Sequence, residues 1–483
     1  ASITLMTMST PRSPLVVTAL LCLTAGTLTG CLVEEQGQIA ASQTGALIEP
    51  PAARGDALAF AIEGCGEPER RARAVVRQPY VQRVEPRSAR VMWTETGPHT
   101  LQLWRPGEAP RTIESARDET TFLDADTSQR VATLDGLTPG ALHCYALLDA
   151  DGDRLGPFGF RAAPGGVDEP IDVLVFGDSG RGFPDQWTLA EQMRTAPVDL
   201  ILHTGDIAYP DGTLQELEDF TFAVYEDLFS SIPFFPASGN HDYGTADAGP
   251  YREVFGLPEN GGERGRERWF SFDWGPAHFV ALDTEVNGDD QIAWLEADLA
   301  RADRPWTIVY AHRPPYSSGP HGGDGGFEAR YGDILRAHGV KLVLTGHDHH
   351  YERFHPIDGV TYVVTGGGGA GTRWVNPGER TAFAESVTHF VTLHVTPDEL
   401  RVHAIDAARP AFHGARNTRR GARAARGRRG AGARTSAPRR RARRGLAPRA
   451  CRRRSARPGS GGAARTAGRR RRARGAPRRG RRR

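Results

Sequence analysis

Three things are scarce in this chain. Beyond residue 28 no apolar run approaches the roughly 20 residues that a membrane-spanning helix needs, so the body of the protein is expected to be soluble. Cysteine is rare, five in 483 residues. Acidic residues stop at Asp406: the stretch beyond it holds 30 of the 61 basic side chains and no Asp or Glu, leaving 58 acidic against 31 basic residues before it. The formal charge of +3 therefore averages an acidic body and a very basic end.

What the chain has is five short motifs, each at the end of an apolar run: Gly177-Asp178-Ser179-Gly180, Gly205-Asp206-Ile207-Ala208-Tyr209, Gly239-Asn240-His241-Asp242, Val309-Tyr310-Ala311-His312 and Gly346-His347-Asp348-His349. A single GD or GNH arises by chance in a glycine-rich chain; five in this order over about 170 residues are hard to obtain by accident. The runs at 171–176, 198–204, 232–237, 306–311 and 340–345 are continuously apolar, which predicts strands buried on both faces. Helix-like segments at 185–195, 214–229, 290–302 and 327–338 alternate with them, so a layered α/β domain is expected. Its ligand-bearing loops should gather at one edge of a sheet, in the crevice beyond the carboxyl ends of the strands. The glycines beside the candidate ligands allow sharp turns and close approach, and the run Gly366-Gly367-Gly368-Gly369-Ala370-Gly371 predicts a flexible turn at the same edge.

These motifs offer Asp, Tyr, Asn and His in the number that two metal ions require. At these residues the chain resembles the purple acid phosphatases, a branch of the binuclear metallophosphoesterases, whose blocks read GDxG, GDxxY, GNH[DE], VxxH and GHxH. The strings at 346–353 and 362–369 look like that branch too. Tyr209 matters most, because the wider group usually lacks a tyrosine there. The resemblance implies that Asp178, Asp206, Tyr209 and His349 hold a ferric ion, and that Asp206, Asn240, His312 and His347 hold a divalent ion (zinc, manganese or ferrous iron), with Asp206 bridging. Ligand chemistry agrees: phenolate and carboxylate oxygens suit Fe(III), while imidazole with amide and carboxylate oxygen suits the divalent ion. It also implies acid phosphatase activity, the hydrolysis of phosphomonoesters by attack of a metal-held hydroxide. His241 is then the candidate transition-state stabiliser or general acid, with His321 a second candidate. Arg313 is a phosphate contact or a solvated loop residue, and His350 and His355 are read as outer or surface groups. A phosphodiesterase or nucleotidase on the same site, and a surface binding protein without catalysis, are the alternatives.

Ahead of this domain, at 170–406, the chain opens with Arg12, an apolar stretch at 15–28 and small residues, the pattern of an export signal over 1–31. Leu28-Thr29-Gly30-Cys31 is similar to a bacterial lipobox, which implies a lipid anchor at Cys31 and a place in the cell envelope; plain secretion is the alternative. Residues 32–71 read as a linker. Short strands separated by Gly/Pro turns over 72–164 predict an all-β sandwich, and Leu134-Asp135-Gly136-Leu137-Thr138-Pro139-Gly140 followed by Tyr145 resembles a fibronectin type III module. Loss of Cys22 and acylation of Cys31 would leave Cys65, Cys144 and Cys451; a Cys65–Cys144 disulfide is compatible with export.

The end, 407–483, is Arg, Ala, Gly and Pro with no periodicity and is expected to be disordered. Out-of-frame translation of GC-rich DNA yields this mixture; a functional basic arm that binds nucleic acid or another polyanion is the other reading. The sequence as a whole thus predicts a β-sandwich followed by an α/β metallophosphoesterase domain whose partners are small phosphate esters.

Overall fold

Ile171–Phe176 and Trp306–Ala311 occupy the residues their apolar runs mark and are strands with a neighbour on each side, parallel on both sides for Trp306–Ala311 and on one side for Ile171–Phe176. A computed structural model of the chain describes residues 64–418 apart from 68, 71, 119–122, 124–125, 287 and 408–412. Residues 1–63, on which the expected export signal, Cys31 anchor and linker fall, and the chain beyond Thr418 lie outside the described residues.

The N-terminal part is two antiparallel sheets face to face. One runs Val75–Gln82, Ser88–Glu95, Ser128–Asp135, Ser115–Asp118; the other runs Glu69–Arg70, Arg154–Arg161, Leu142–Leu148, Thr100–Trp104, Arg111–Ile113. Cys65 and Cys144 are joined by a disulfide with their Cα atoms 5.5 Å apart. The sandwich shares its core with the following domain. Buried Arg77 donates to the Glu218 carboxylate (Nε to Oε1, 3.0 Å), Tyr145 Oη donates to Ser230 O at 2.6 Å and Gln82 Nε2 to Phe234 O at 3.2 Å. It therefore packs on the helical stretch Leu214–Phe229, which follows the Tyr209 loop and includes a π-helical turn at Glu218–Phe222.

The C-terminal part departs from the expected single sheet. It has two. One places Phe234–Ala237, Leu200–Thr204, Ile171–Phe176, His389–Val395, Glu399–Asp406 and His413–Thr418 in that order; the other runs Phe270–Trp274, Ala277–Ala281, Trp306–Ala311, Leu342–Thr345, Thr361–Thr365, Tyr351–Phe354, Thr381–Glu385. The reason lies in non-local pairing. Ile171–Phe176 takes Leu200–Thr204 in parallel on one side and His389–Val395 antiparallel on the other, so it has no free edge for the later parallel strands. Those build their own sheet, in which Trp306–Ala311 pairs in parallel with Ala277–Ala281 and Leu342–Thr345.

The end also needs correcting. The structureless tail was expected from Ala407, yet His413–Thr418 pairs antiparallel with Glu399–Asp406, Ala404 opposite His413 and Glu399 opposite Thr418. Main-chain hydrogen bonding alone admits this segment, because an edge strand needs little apolar character on its outer side. No described helix is long and apolar enough to cross a membrane.

Candidate metal centre

The two sheets bring the five motifs together where their strands end. Asp178, Asp206 and Asn240 follow Ile171–Phe176, Leu200–Thr204 and Phe234–Ala237 of one sheet; His312 and His347 follow Trp306–Ala311 and Leu342–Thr345 of the other. The site thus bridges two sheets rather than lining one. Asp178, Asp206 and His347 take φ of 58°, 56° and 69°. A non-glycine residue in that region costs of order 1–3 kcal/mol, strain that persists where surrounding structure over-determines it. Here it turns each side chain off its strand and inward. Glycine at 239 and 346 answers to close approach: a Cβ on Gly239 would overlap the Asp206 carboxylate, and one on Gly346 the Asp178 carboxylate.

Two groups of donors result, and they share Asp206. In the first, Tyr209 Oη lies 3.2 Å from Asp178 Oδ1, 3.0 Å from Asp206 Oδ2 and 3.2 Å from His349 Nε2. In the second, His312 Nε2 lies 3.3 Å from Asp206 Oδ2, 3.1 Å from Asn240 Oδ1 and 3.1 Å from His347 Nδ1. Ligand atoms of Asp206, His312 and His347 all fall within 4.8 Å of one another, close enough to hold one ion. Tautomers are set from behind. His312 Nδ1 donates to Thr204 O at 3.0 Å and His349 Nδ1 to Gly371 O at 2.7 Å, so each ring aims Nε2 into the cluster.

The electrostatics fit a cation site. Burial disfavours ionised Asp206, but the His312 charge and hydrogen bond override it and hold that carboxyl well below the usual range. Burial likewise opposes a charged His312, and Asp206 overrides it, pushing the imidazole up to about 10. His347 is driven the other way, to about 2, by burial and then by the charges of His312 and Arg313. A proton on His312 balances Asp206, the place a metal would take. The donors therefore fit a two-metal centre in identity, convergence and charge.

Both outer histidines are at the mouth. The His241 ring lies 4.3 Å from the Tyr209 ring, with Nε2 4.0 Å from Asp206 Oδ2 and Nδ1 donating to Pro210 O at 2.6 Å. The His321 ring lies 4.3 Å from that of His347, with Nδ1 3.0 Å from Asp348 Oδ1. Arg313 is not a free loop residue: Glu285 holds it by two hydrogen bonds of 2.7 and 2.9 Å, which leaves Nη1 3.3 Å from His347 Nε2. His350 is buried against Glu352 at 3.2 Å, and His355 N donates to Arg380 O. The Gly366–Gly371 run is near the site as expected, but Gly366 to Ala370 are buried and hydrogen bonded, Gly368 N to Gly177 O and Ala370 N to Asp178 O, both at 2.9 Å. It is a packed wall, not a flexible turn.

Four residues were missed. Asp242 accepts from the backbone N–H of Asp206, Ile207 and Gly239 at 3.0, 3.0 and 2.7 Å and clamps two ligand loops together; burial and the Asp206 charge raise it to about 7. Asp348 accepts from Ser317 Oγ at 2.5 Å and faces His321. Both stand inside quoted motifs, which was their only signal. Arg373 donates to His347 O at 2.7 Å, and Arg181 lies 4.8 Å over the Tyr209 ring; neither sits at a spacing that marks it.

Comparison with known proteins agrees with this site. A calcineurin-like phosphoesterase family profile matches residues 171–351, the stretch that carries all five motifs. Acid phosphatase type 7 of mouse is 30% identical over 312 residues, covering 56% of this chain and 69% of the mouse protein, and the human protein of that name is 31% identical over 310 residues with the same coverage. A purple acid phosphatase from yellow lupin seeds shares the fold with a TM-score of 0.63 at 22% identity, over 70% of this chain and 74% of its own. Fold and site define a calcineurin-like phosphoesterase. Within that class the chain belongs to the purple acid phosphatase family, and it is a hydrolase of phosphoric esters.

Proposed function

We propose that the protein is an exported binuclear-metal phosphohydrolase acting on phosphomonoesters, with Asp178, Asp206, Tyr209 and His349 holding Fe(III) and Asp206, Asn240, His312 and His347 a divalent ion. The observation that carries this reading is the pair of donor groups sharing Asp206. Two ions held there would supply charge neutralisation of the phosphate and would lower the pKa of a bound water to about 7. Asp206, common to both donor groups, would be shared between the ions, and Asp242 fixes Asp206 by gripping its backbone. His241, with Nδ1 committed to Pro210 O, presents Nε2 on the outer side of the cluster, placed to act on the departing oxygen. His321, tied to Asp348, stands on the other flank beside His347.

Export is supported by the Cys65–Cys144 disulfide, a bond that persists in oxidising compartments, and a lipid anchor at Cys31 by the Leu28-Thr29-Gly30-Cys31 string. The four- and five-stranded sheet orders support a fibronectin type III-like identity for the sandwich, whose role is packing against the catalytic part. A panel of glycerol phosphate, p-nitrophenyl phosphate, bis-p-nitrophenyl phosphate and nucleotides, run with the metal content known, tests the activity. Monoester turnover well above diester turnover is expected. Diester preference would favour the phosphodiesterase alternative, and no turnover at full metal content would favour the binding protein.

A further inference from the structure

We infer that Arg77 of the β-sandwich is a positioning residue for the donor group Asp178, Asp206, Tyr209 and His349, acting through the π-helical turn Glu218–Phe222, so that the sandwich sets how firmly the C-terminal part holds one of its two ions. The effect on the ion rests on the two-metal reading above; the effect on the loops that carry the donors does not.

The Arg77 side chain is 1% exposed, and arginine is almost never buried so fully unless it is paired. Each of its nitrogens is used. Nε donates to Glu218 Oε1 and Oε2 at 3.0 and 3.2 Å, and Nη2 donates to the same carboxylate. Nη1 donates to Tyr80 Oη at 3.2 Å and Gln129 Oε1 at 3.1 Å, both in the sandwich. The guanidinium also lies 4.2 Å over the Phe222 ring. Arg77 therefore grips the first and last residues of the π turn from the neighbouring sandwich.

The residues between those two reach the ligand loops. Buried Thr221 donates Oγ1 to Ile207 O at 2.9 Å, inside the loop that carries Asp206 and Tyr209. Phe220 O accepts at 2.6 Å from Gln186 Nε2, whose Oε1 accepts from Arg181 N and Gly182 N at 3.2 and 2.8 Å, just beyond the Asp178 motif. The two loops are also knitted to each other, Ser179 N donating to Asp206 O at 3.2 Å and Tyr209 N to Gly180 O at 2.8 Å. Three of the four donors of the first group thus stand on loops fastened to one turn. Asp178 and Asp206 have left-handed backbones, a state that persists only where its surroundings over-determine it, and the turn supplies part of that constraint. The loops of Asn240 and His312, which serve the second group, are held by other partners: Gly239 N donates to Asp242, and His312 Nδ1 to Thr204 O.

The test uses the full chain as wild type, Arg77→Met, Arg77→Lys, Thr221→Val and Tyr145→Phe, the last removing a sandwich contact that ends at Ser230 O, beyond the turn. In metal-free protein, hydrogen exchange of peptides covering 178–182 and 205–209 should quicken about tenfold or more in Arg77→Met and Thr221→Val, with Arg77→Lys intermediate and Tyr145→Phe at the wild-type value. The double variant Arg77→Met with Thr221→Val should fall short of additivity, because both changes break one chain of contacts. In loaded protein under graded chelator dialysis, Arg77→Met should weaken retention of the ion at Asp178, Asp206, Tyr209 and His349 by about 10- to 100-fold, its charge-transfer band fading with it, while the ion at Asn240, His312 and His347 stays close to wild type. Wild-type exchange in both peptides, full additivity, or equal loss of both ions overturns the inference. If Arg77→Met does not fold, Arg77→Lys and Thr221→Val carry the same readouts. A wild type that binds no metal sinks the two-metal reading, and the exchange rates then decide by themselves whether Arg77 positions the loops.

Discussion

Gly239→Ala should cost this protein its metal before it costs its fold. The new Cβ would overlap both the carboxylate and the backbone nitrogen of Asp206 and approach His312 Cγ to 2.9 Å. None of these yields easily. The Asp206 backbone is pinned by Asp242 at 3.0 Å, and the His312 ring is fixed by Thr204 O at 3.0 Å. Overpacking of this kind costs about 1–3 kcal/mol, a fall in Tm of roughly 5 °C for a domain of this size. The larger effect is local, because the displaced carboxylate belongs to both donor groups. A weakening of metal retention by about 10- to 100-fold, the loss typical of disturbed ligand support, is expected. Metal content after graded chelator dialysis, read beside the thermal transition, separates the two effects. Gly378→Ala is the control, since nothing lies within 4 Å of a Cβ there. If Gly239→Ala kept metal and kcat like the control, the packing argument for the ligand-side glycines would be wrong.

Asp206→Asn should lose metal and turnover together, while His241→Ala should keep its metal and lose mainly kcat; an empty His241→Ala would show that this histidine is itself a ligand. Metal affinity should fall about tenfold per pH unit below pH 10, because an ion must displace the proton that Asp206 holds on His312, and pH-independent competition titrations between pH 6 and 8 would contradict this. The sign for the metal-free fold is opposite: a pKa raised from 6.5 to about 10 contributes stability fully present below pH 6.5 and lost as pH rises through 10, which denaturation at pH 6 and 9 would reveal. Truncation after Thr418 should leave Tm and turnover unchanged, whereas truncation after Asp406 removes the His413–Thr418 pairing and should lower Tm by several degrees; equal Tm values would return the end of the folded chain to Asp406.

The candidate ligands were legible because each comes with its own punctuation, a glycine or a strand end at fixed spacing, and the structure brings all seven side chains together. Strands with two covered faces, such as Trp306–Ala311, were legible for the same local reason. Strands whose partners are remote were not. Nothing in Ile171–Phe176 announces that His389–Val395, over 200 residues later, closes its second edge and divides the domain into two sheets. Short polar strands such as Arg111–Ile113 and Ser115–Asp118, with few buried side chains, carry too little pattern to register. Arg181 and Arg373 escaped for a related reason: an arginine acts through where its long side chain ends, and sequence spacing does not record that.

Metal analysis of the purified protein beside turnover of a phosphomonoester tests the central claim most directly. Two ions per chain are expected, one of them iron, with a visible charge-transfer band that Tyr209→Phe removes and with activity lost on chelation and restored on reloading. Full activity in protein stripped of metal, or an active chain saturated by a single ion, would contradict the two-metal centre built on Asp206.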